Sequence, residues 1–260
     1  MRRLAMTYAA HVHAAIRAST ADRGSAWLQG CAMALNNGFV LAMWFLFFAG
    51  FRSVGGWRMP DMALLNALLA AIVGLGGILA GGYRDMARQI VTGVPDMLLT
   101  QPKAVLPRLL ASESNVSGWG DIVTALILFL TVAGLRWSDA GWVMFVLLCG
   151  LVVFLSTATA FASIAFWARG ARSFARDLTD FLVTFSFYPG SIYQGQLKLV
   201  VYTLFPAAFI VLIPVELVRR PNFGTAAFLG AASIGYAALA VLLFTLGLRR
   251  YRRGESPGAE

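Results

Sequence analysis

Charge is scarce in this chain. Asp, Glu, Lys and Arg make up 13% of its 260 residues, against roughly 25% in a soluble domain. Cysteine is almost absent: Cys31 and Cys149 both lie inside apolar runs, where they read as small core hydrophobes rather than a disulfide framework. The two histidines, His11 and His13, sit two apart near the start. They do not share a helix face, so a metal site is not expected, and no Ser/His/Asp set for hydrolysis can be assembled. Lysine occurs only at 103 and 198. Neither follows the glycine pattern G-x-x-x-x-G-K-[ST] that cradles phosphates. The expectation is a chain with no catalytic residues, no metal and no cofactor of its own.

What the sequence has is hydrocarbon. Hydrophobic residues are 59% and mean hydropathy is +0.72, in long uncharged runs of the kind that cross bilayers. The fold class expected is an all-α polytopic membrane protein with six transmembrane helices. The net charge of +9 does not point to nucleic acid, because the basic residues cap the apolar runs and form no aromatic-interleaved stripe. Residues 1–24 carry Leu4, Tyr8, Val12 and Ile16 at i+4 spacing with Arg2, Arg3 and Arg17. That pattern predicts an interfacial amphipathic helix rather than a signal peptide. Spans one and two occupy 27–82, spans three and four 119–168, and the last span 224–248, followed by the tail 249–260.

Orientation follows from the basic residues. With the N-terminus cytoplasmic, fifteen of the 21 Lys and Arg fall on cytoplasmic segments, Arg169 and the RRYRR at 249–253 among them, which favours both ends inside. The stretch 172–218 must then supply one net crossing. Residues 174–193 are read as a rather polar fifth span. Residues 196–217 are apolar but carry Pro206 and Pro214, which remove backbone donors and clash with the preceding turn. They are read as a broken re-entrant element in the outer leaflet, the alternative being a kinked transmembrane helix.

Several polar residues fall inside the apolar runs. Asn36 and Asn37, near the middle of span one, either bond a neighbouring helix or line a substrate route. They point about 100° apart, so at most one faces a given neighbour squarely. Ser156, Thr157, Thr159 and Ser163 in span four read as packing or, for Thr157 and Thr159, cavity lining. Gly77 and Gly81, with Gly74 a turn earlier, allow close helix approach within the subunit or against a second copy. Asp177 and Asp180 are expected to pair with Arg172 and Arg176. Asp121 starts span three and Glu216 ends the broken element, so no acid is expected deep in a span.

One stretch does not fit a lipid-facing helix. Residues 83–113 carry charges and three prolines and lack a run of membrane length. The prediction is a cytoplasmic loop with short helices over 96–99 and 104–110, whose apolar residues, Leu98, Leu99 and Leu106 among them, need cover from another protein or from the bilayer surface. Asp96 is placed to accept backbone N–H groups at a helix start.

Gly93, Asp96, Leu99 and Pro102 form a G-x-x-D-x-x-L-x-x-P pattern, and Tyr188, Pro189, Tyr193, Pro206 and Pro214 form a Y-P…Y…P…P pattern before the last span. With the order of parts, these patterns make the chain resemble the bacterial permease subunits of ABC-2 class ABC transporters over essentially its whole length. The resemblance implies that 93–110 is a coupling element fitting a cleft on a separate ATPase, with ATP and Mg on that partner. It also implies a second permease subunit, identical or not, residence in the bacterial inner membrane, and export of a substrate. The alternative is a non-transport membrane protein such as an intramembrane lipid enzyme or an assembly factor.

Overall fold

The computed structural model describes residues 2–101, 103–132, 135–168 and 170–253. Pro102, Arg169 and the tail from 254 onward lie outside them. Among the described residues the secondary structure is helical. Helix α1 (Arg2–Ser19) leads through a turn, where Asp22 accepts the N–H groups of Gly24 and Ser25, into α2 (Arg23–Gly50). A loop closed by an isolated bridge between Val54 and Trp57 brings the chain back as α3 (Met59–Ala80), with Pro60 in its first turn. Short helices α4 (Met86–Val91), α5 (Val94–Leu99) and α6 (Val105–Leu110) follow, then α7 (Gly118–Thr131), α8 (Ala140–Ser163) and α9 (Ala171–Ser186). The broken region holds α10 (Gly195–Tyr202), a π-helical stretch Ala208–Leu212 and α11 (Ile213–Arg219), and the chain finishes in α12 (Phe223–Arg252).

Among the described residues four stretches are long and apolar enough to cross a bilayer: Arg23–Gly50, Met59–Val91, Ala140–Phe166 and Phe223–Arg252. At 1.5 Å per residue the shortest of them reaches about 40 Å, more than the roughly 30 Å hydrocarbon layer. Helix α7 is apolar but only 14 residues long. The expected fifth span differs most from its neighbours. Helix α9 ends at Ser186 rather than 193, has 16 residues and carries four charges in its first ten. It buries Ala175, Thr179, Leu182 and Ser186, a 4-3-4 spacing that puts one narrow stripe on its neighbours and leaves the charged side outward.

The core is built around α3, whose residues Met62 to Leu69 are all but fully buried, and α8, which packs on α12, α3 and α9. Helix α2 lies at the outside of the bundle: of its residues only Trp44 is buried, while Trp27, Leu28, Phe39, Phe45 and Leu46 are exposed. An exposed apolar face of that length needs lipid or a partner. In lipid the cohesion of such a bundle comes from close packing rather than from expulsion of water. Helices α3 and α7 show how. A Cβ on Gly74 would lie 2.8 Å from Gly118 O, and one on Gly118 would lie 2.7 Å from Gly74 O. The backbones cross where neither residue has a side chain. Gly77 O also accepts the Asn115 N–H at 2.8 Å, and a Cβ on Gly81 would strike the Glu113 carbonyl. The small-residue stripe Gly74, Gly77 and Gly81 therefore serves packing within one subunit.

Helix α1 is docked on this bundle. Val12 and Ala15 are buried, and the Tyr8 hydroxyl donates to Leu79 O at 2.9 Å; burial pushes the pKa of this phenol up. The broken region folds back on itself. Its turn, at Thr203–Pro206, is held where the Tyr236 hydroxyl of α12 reaches the carbonyls of Tyr202 and Thr203. Pro206 opens the second arm, its carbonyl accepting from Phe209 and Ile210 N–H. Pro214 does not break that arm. It follows the π-helical turn, where the wider winding makes room for a residue with no N–H. This second arm is buried from Ala207 to Val215, and it returns to the end of the bundle where the α2–α3 loop lies: Arg219 pairs with Asp61 at 3.1 Å and donates to Pro60 O at 2.8 Å.

Two expectations about side chains are corrected. Cys31 is exposed, not a core residue; Cys149 is buried. Among the described residues, Arg172 and Arg176 form no ion pair with Asp177 or Asp180; all four side chains are exposed on α9, and Asp180 lines a cavity.

Candidate functional site

Three places in the bundle gather the residues that the sequence singles out. The first is the segment α4–α6. Gly93 adopts φ +82°, a left-handed turn that glycine takes without strain. It lets α4 and α5 meet, with Pro95 in the first turn of α5. The helix starts at Val94, so Asp96 lies within the first turn and caps no backbone. Its Oδ2 accepts the Tyr251 hydroxyl at 2.7 Å instead. Tyr251 belongs to the last turn of α12, and its ring meets Phe166, whose buried ring also meets Phe244. The end of the last helix is thus fastened to α5. Arg108 of α6 donates to Leu98 O at 3.0 Å and closes α5 against α6. Val105 and Leu109 sink into the core, and Leu98, Leu99 and Leu106 are half-buried against it. Met97 is 74% exposed. The apolar side of the segment is largely covered by the chain's own core, and Met97 is the large apolar residue of α5 left open.

The second place is a cavity of about 270 Å³ between α2, α3, α7 and α9. Asn36 and Asn37 line it together with Arg84, Asp121 and Asp180. Asn37 donates to Asp121 Oδ1 at 2.7 Å, so of the adjacent asparagines one faces its neighbour and the other lies at the more exposed rim. Asp121 is only 4% exposed, which corrects the expectation that no acid lies deep among the spans: it starts α7, but α7 itself begins well inside the bundle, at the level of mid-α2. Thr157 and Thr159 do not reach this cavity. They are buried in α8 and return their hydroxyls to Val153 O and Leu155 O, and Ser163 does the same to Thr159 O.

The third place is a pocket of about 460 Å³ at the far end of the bundle. The α2–α3 loop contributes Trp57 and Asp61, the first arm of the broken region Lys198 and Tyr202, and the second arm Glu216 and Arg219. Tyr193 also lines it, and its hydroxyl donates to Phe185 O. Tyr188 sits edge-on to Trp44 of α2. Pro189 starts the short turn 190–192.

Sequence reasoning missed Tyr251, which reads as part of a topology-setting RRYRR, and missed Arg84 and Asp180 as cavity residues. Only their distant partners reveal them. Comparison with curated proteins finds no match, and comparison with solved structures finds none. A family model is matched over residues 34–254, nearly the whole bundle from mid-α2 to the end of α12, and its description is ABC-2 family transporter protein. A membrane bundle with that match over most of its length belongs to the ABC-2 family, as a membrane permease component of an ABC transporter.

Proposed function

We propose that this chain is the membrane-spanning permease subunit of an ABC-type exporter, driven by a separate ATPase that docks on α5 and α6. The observation that carries the docking site is the combination of exposed Met97 with the Asp96–Tyr251 bond. A partner that moves α5 pulls directly on the end of α12, and through Phe166 on α8. ATP and Mg then belong to the partner, since neither lysine of this chain sits in a phosphate-cradling loop.

The same reading gives six crossings, α2, α3, α7, α8, α9 and α12, with 196–217 a re-entrant element and both termini cytoplasmic. The basic residues of the 249–253 run, at one end of the bundle, and the Asp61–Arg219 pair at the other support that assignment. The bacterial inner membrane is the setting, and a second permease subunit covers part of the exposed face of α2. The substrate route passes Asn36 and Asn37.

The experiment is co-purification with the Walker-A ATPase encoded beside the permease gene, using wild type and Met97→Asp. Wild type carries the ATPase through purification. Met97→Asp reaches the membrane in normal amount and loses it. Retention of the ATPase by the variant would move the docking site elsewhere, with 169–177 the next candidate.

A further inference from the structure

Helix α7 joins α2 late. It begins at Gly118, and it crosses α2 where Gly120 rests on the α2 backbone: a Cβ on Gly120 would strike Gly30 O. Beside the turns of α2 that lead up to this crossing, a groove of about 760 Å³ is left. Ala26, Trp27, Gly30, Cys31 and Ala34 of α2 form its floor, and Val116, Trp119 and Val123 form its wall. Trp27, Cys31, Trp119 and Val123 are exposed, so the groove opens outward from the bundle. A Cβ on Gly30 would meet nothing within 4 Å, so the space above it is empty. Its polar lining residues, Thr20 and Arg23, both stand at the end where α2 begins. Thr20 already gives its hydroxyl proton to Ile16 O at 2.8 Å. Water needs two to four polar partners to stay in such a space, and the apolar length of this groove offers none.

We infer that this groove holds a resident anionic phospholipid, its phosphate at Arg23 and one acyl chain lying along α2 between Trp27 and Trp119. Length is the first reason. From Arg23 to Ala34 the helix rises about 16 Å, and one leaflet of hydrocarbon is about 15 Å deep, half of the roughly 30 Å core. Charge is the second. Arg23 is exposed and among the described residues forms no ion pair. The adjacent Asp22 turns its Oδ1 to the N–H groups of Gly24 and Ser25, and Arg17 stands in the last turn of α1. A basic residue at headgroup level draws anionic lipid, and the two tryptophans suit the same boundary. A second copy laid α2 against α2 would not answer Arg23, because the helix Arg23–Gly50 contains no acidic residue. Closure is the third reason. The groove ends at the α2–α7 crossing and gives no path to the other leaflet, so its lipid is a fixture of the fold and not cargo. That the leaflet is the cytoplasmic one rests on the proposed topology; the site does not.

The test uses the full chain, delipidated in detergent and titrated with phosphatidylglycerol or the zwitterionic phosphatidylcholine of the same chains. Bound lipid is counted by native mass spectrometry. The expected result is one phosphatidylglycerol held about fivefold more tightly than phosphatidylcholine, the effect of one basic residue at an anionic surface. Arg23→Gln removes the preference. Gly30→Leu, which fills the empty space from the floor, removes the bound lipid itself. The melting temperature rises with phosphatidylglycerol in the wild type, as for any ligand of the folded state, and does not rise in Gly30→Leu. Arg23 is exposed, so Arg23→Gln decides the matter even if Gly30→Leu fails to fold. Equal retention of the two lipids, a preference that survives Arg23→Gln, or lipid that stays bound to a folded Gly30→Leu overturns the proposal. A short bismaleimide that joins two copies through Cys31, in nanodiscs containing phosphatidylglycerol, also overturns it and makes the groove a contact between copies. None of these outcomes touches the ATPase docking site or the topology, which co-purification and cysteine labelling test separately.

Discussion

Tyr251 links two parts of the chain that are 155 residues apart. Its hydroxyl serves Asp96 and its ring serves Phe166, so the two roles separate by substitution. Tyr251→Phe keeps the ring contact and deletes one hydrogen bond to a carboxylate, worth about 1.5–3 kcal/mol. Part of that is returned by water, because the bond is at an exposed site. The expected outcome is normal membrane abundance with a several-fold fall in substrate-stimulated ATPase activity of the assembled transporter. An abundance loss matching the activity loss would make the bond structural. Gly74 offers the opposite case. A Cβ there must displace the α7 backbone at Gly118, and backbone does not yield as a side chain does. Overpacking of this kind costs about 1–3 kcal/mol. Gly74→Val should lower the melting temperature of the detergent-solubilised protein, while Gly50→Val, where an added Cβ meets nothing within 4 Å, should leave it unchanged.

Among the elements, α5 and α6 show most clearly what a sequence can and cannot disclose. Two short helices flanked by prolines are legible from the loop 83–113, and they fall at 94–99 and 105–110. Which leucines they bury is not legible, because the covering surface is assembled from α1, α4, the turn at 81–84 and the end of α12. A leucine in a six-residue helix reads the same whether its neighbour is a partner protein or the chain's own core. That difference now sets the mutational expectation. Leu109 is fully buried, so Leu109→Asp should remove the protein from the membrane fraction altogether. Met97→Asp should spare it. Leu99 and Leu106, half-buried, should fall between the two in membrane abundance measured by immunoblot. Long runs such as those of α2, α3, α8 and α12 were legible because lipid demands about 20 apolar residues in succession. Helix α9 was less so, since a charged and amphipathic segment takes its place from contacts with α8 rather than from composition. Asp121 was misjudged for a related reason. Its position at the start of α7 suggests an interface, and only the depth at which α7 begins and the amide of Asn37 show it to be buried.

At the scale of the whole molecule, the bundle presents one end gathered by α4–α6 with the basic last turn of α12, and another gathered by the α2–α3 loop with both arms of the broken region. The proposed topology puts the first end in the cytoplasm. An introduced Ser256→Cys, with Cys31 and Cys149 replaced by Ala, should resist an impermeant thiol reagent in intact cells and react after permeabilisation. A cysteine at Ser53, in the α2–α3 loop, should react in intact cells. Labelling of both sites in intact cells would require an odd number of crossings and a spanning rather than re-entrant 196–217. The broad exposed face of α2 is the place where a second permease or lipid must stand.

The central claim, that the ATPase acts on the bundle through α5, is tested most directly by crosslinking at Met97. Met97→Cys, in the Cys31→Ala, Cys149→Ala background, is treated with a short thiol-to-amine crosslinker after assembly with the neighbouring ATPase. The account predicts a permease–ATPase adduct from Met97→Cys and none from a cysteine placed at Ser53, at the opposite end of the bundle. An assembled, active transporter that gives no adduct at 97, or gives one from 53 instead, contradicts it.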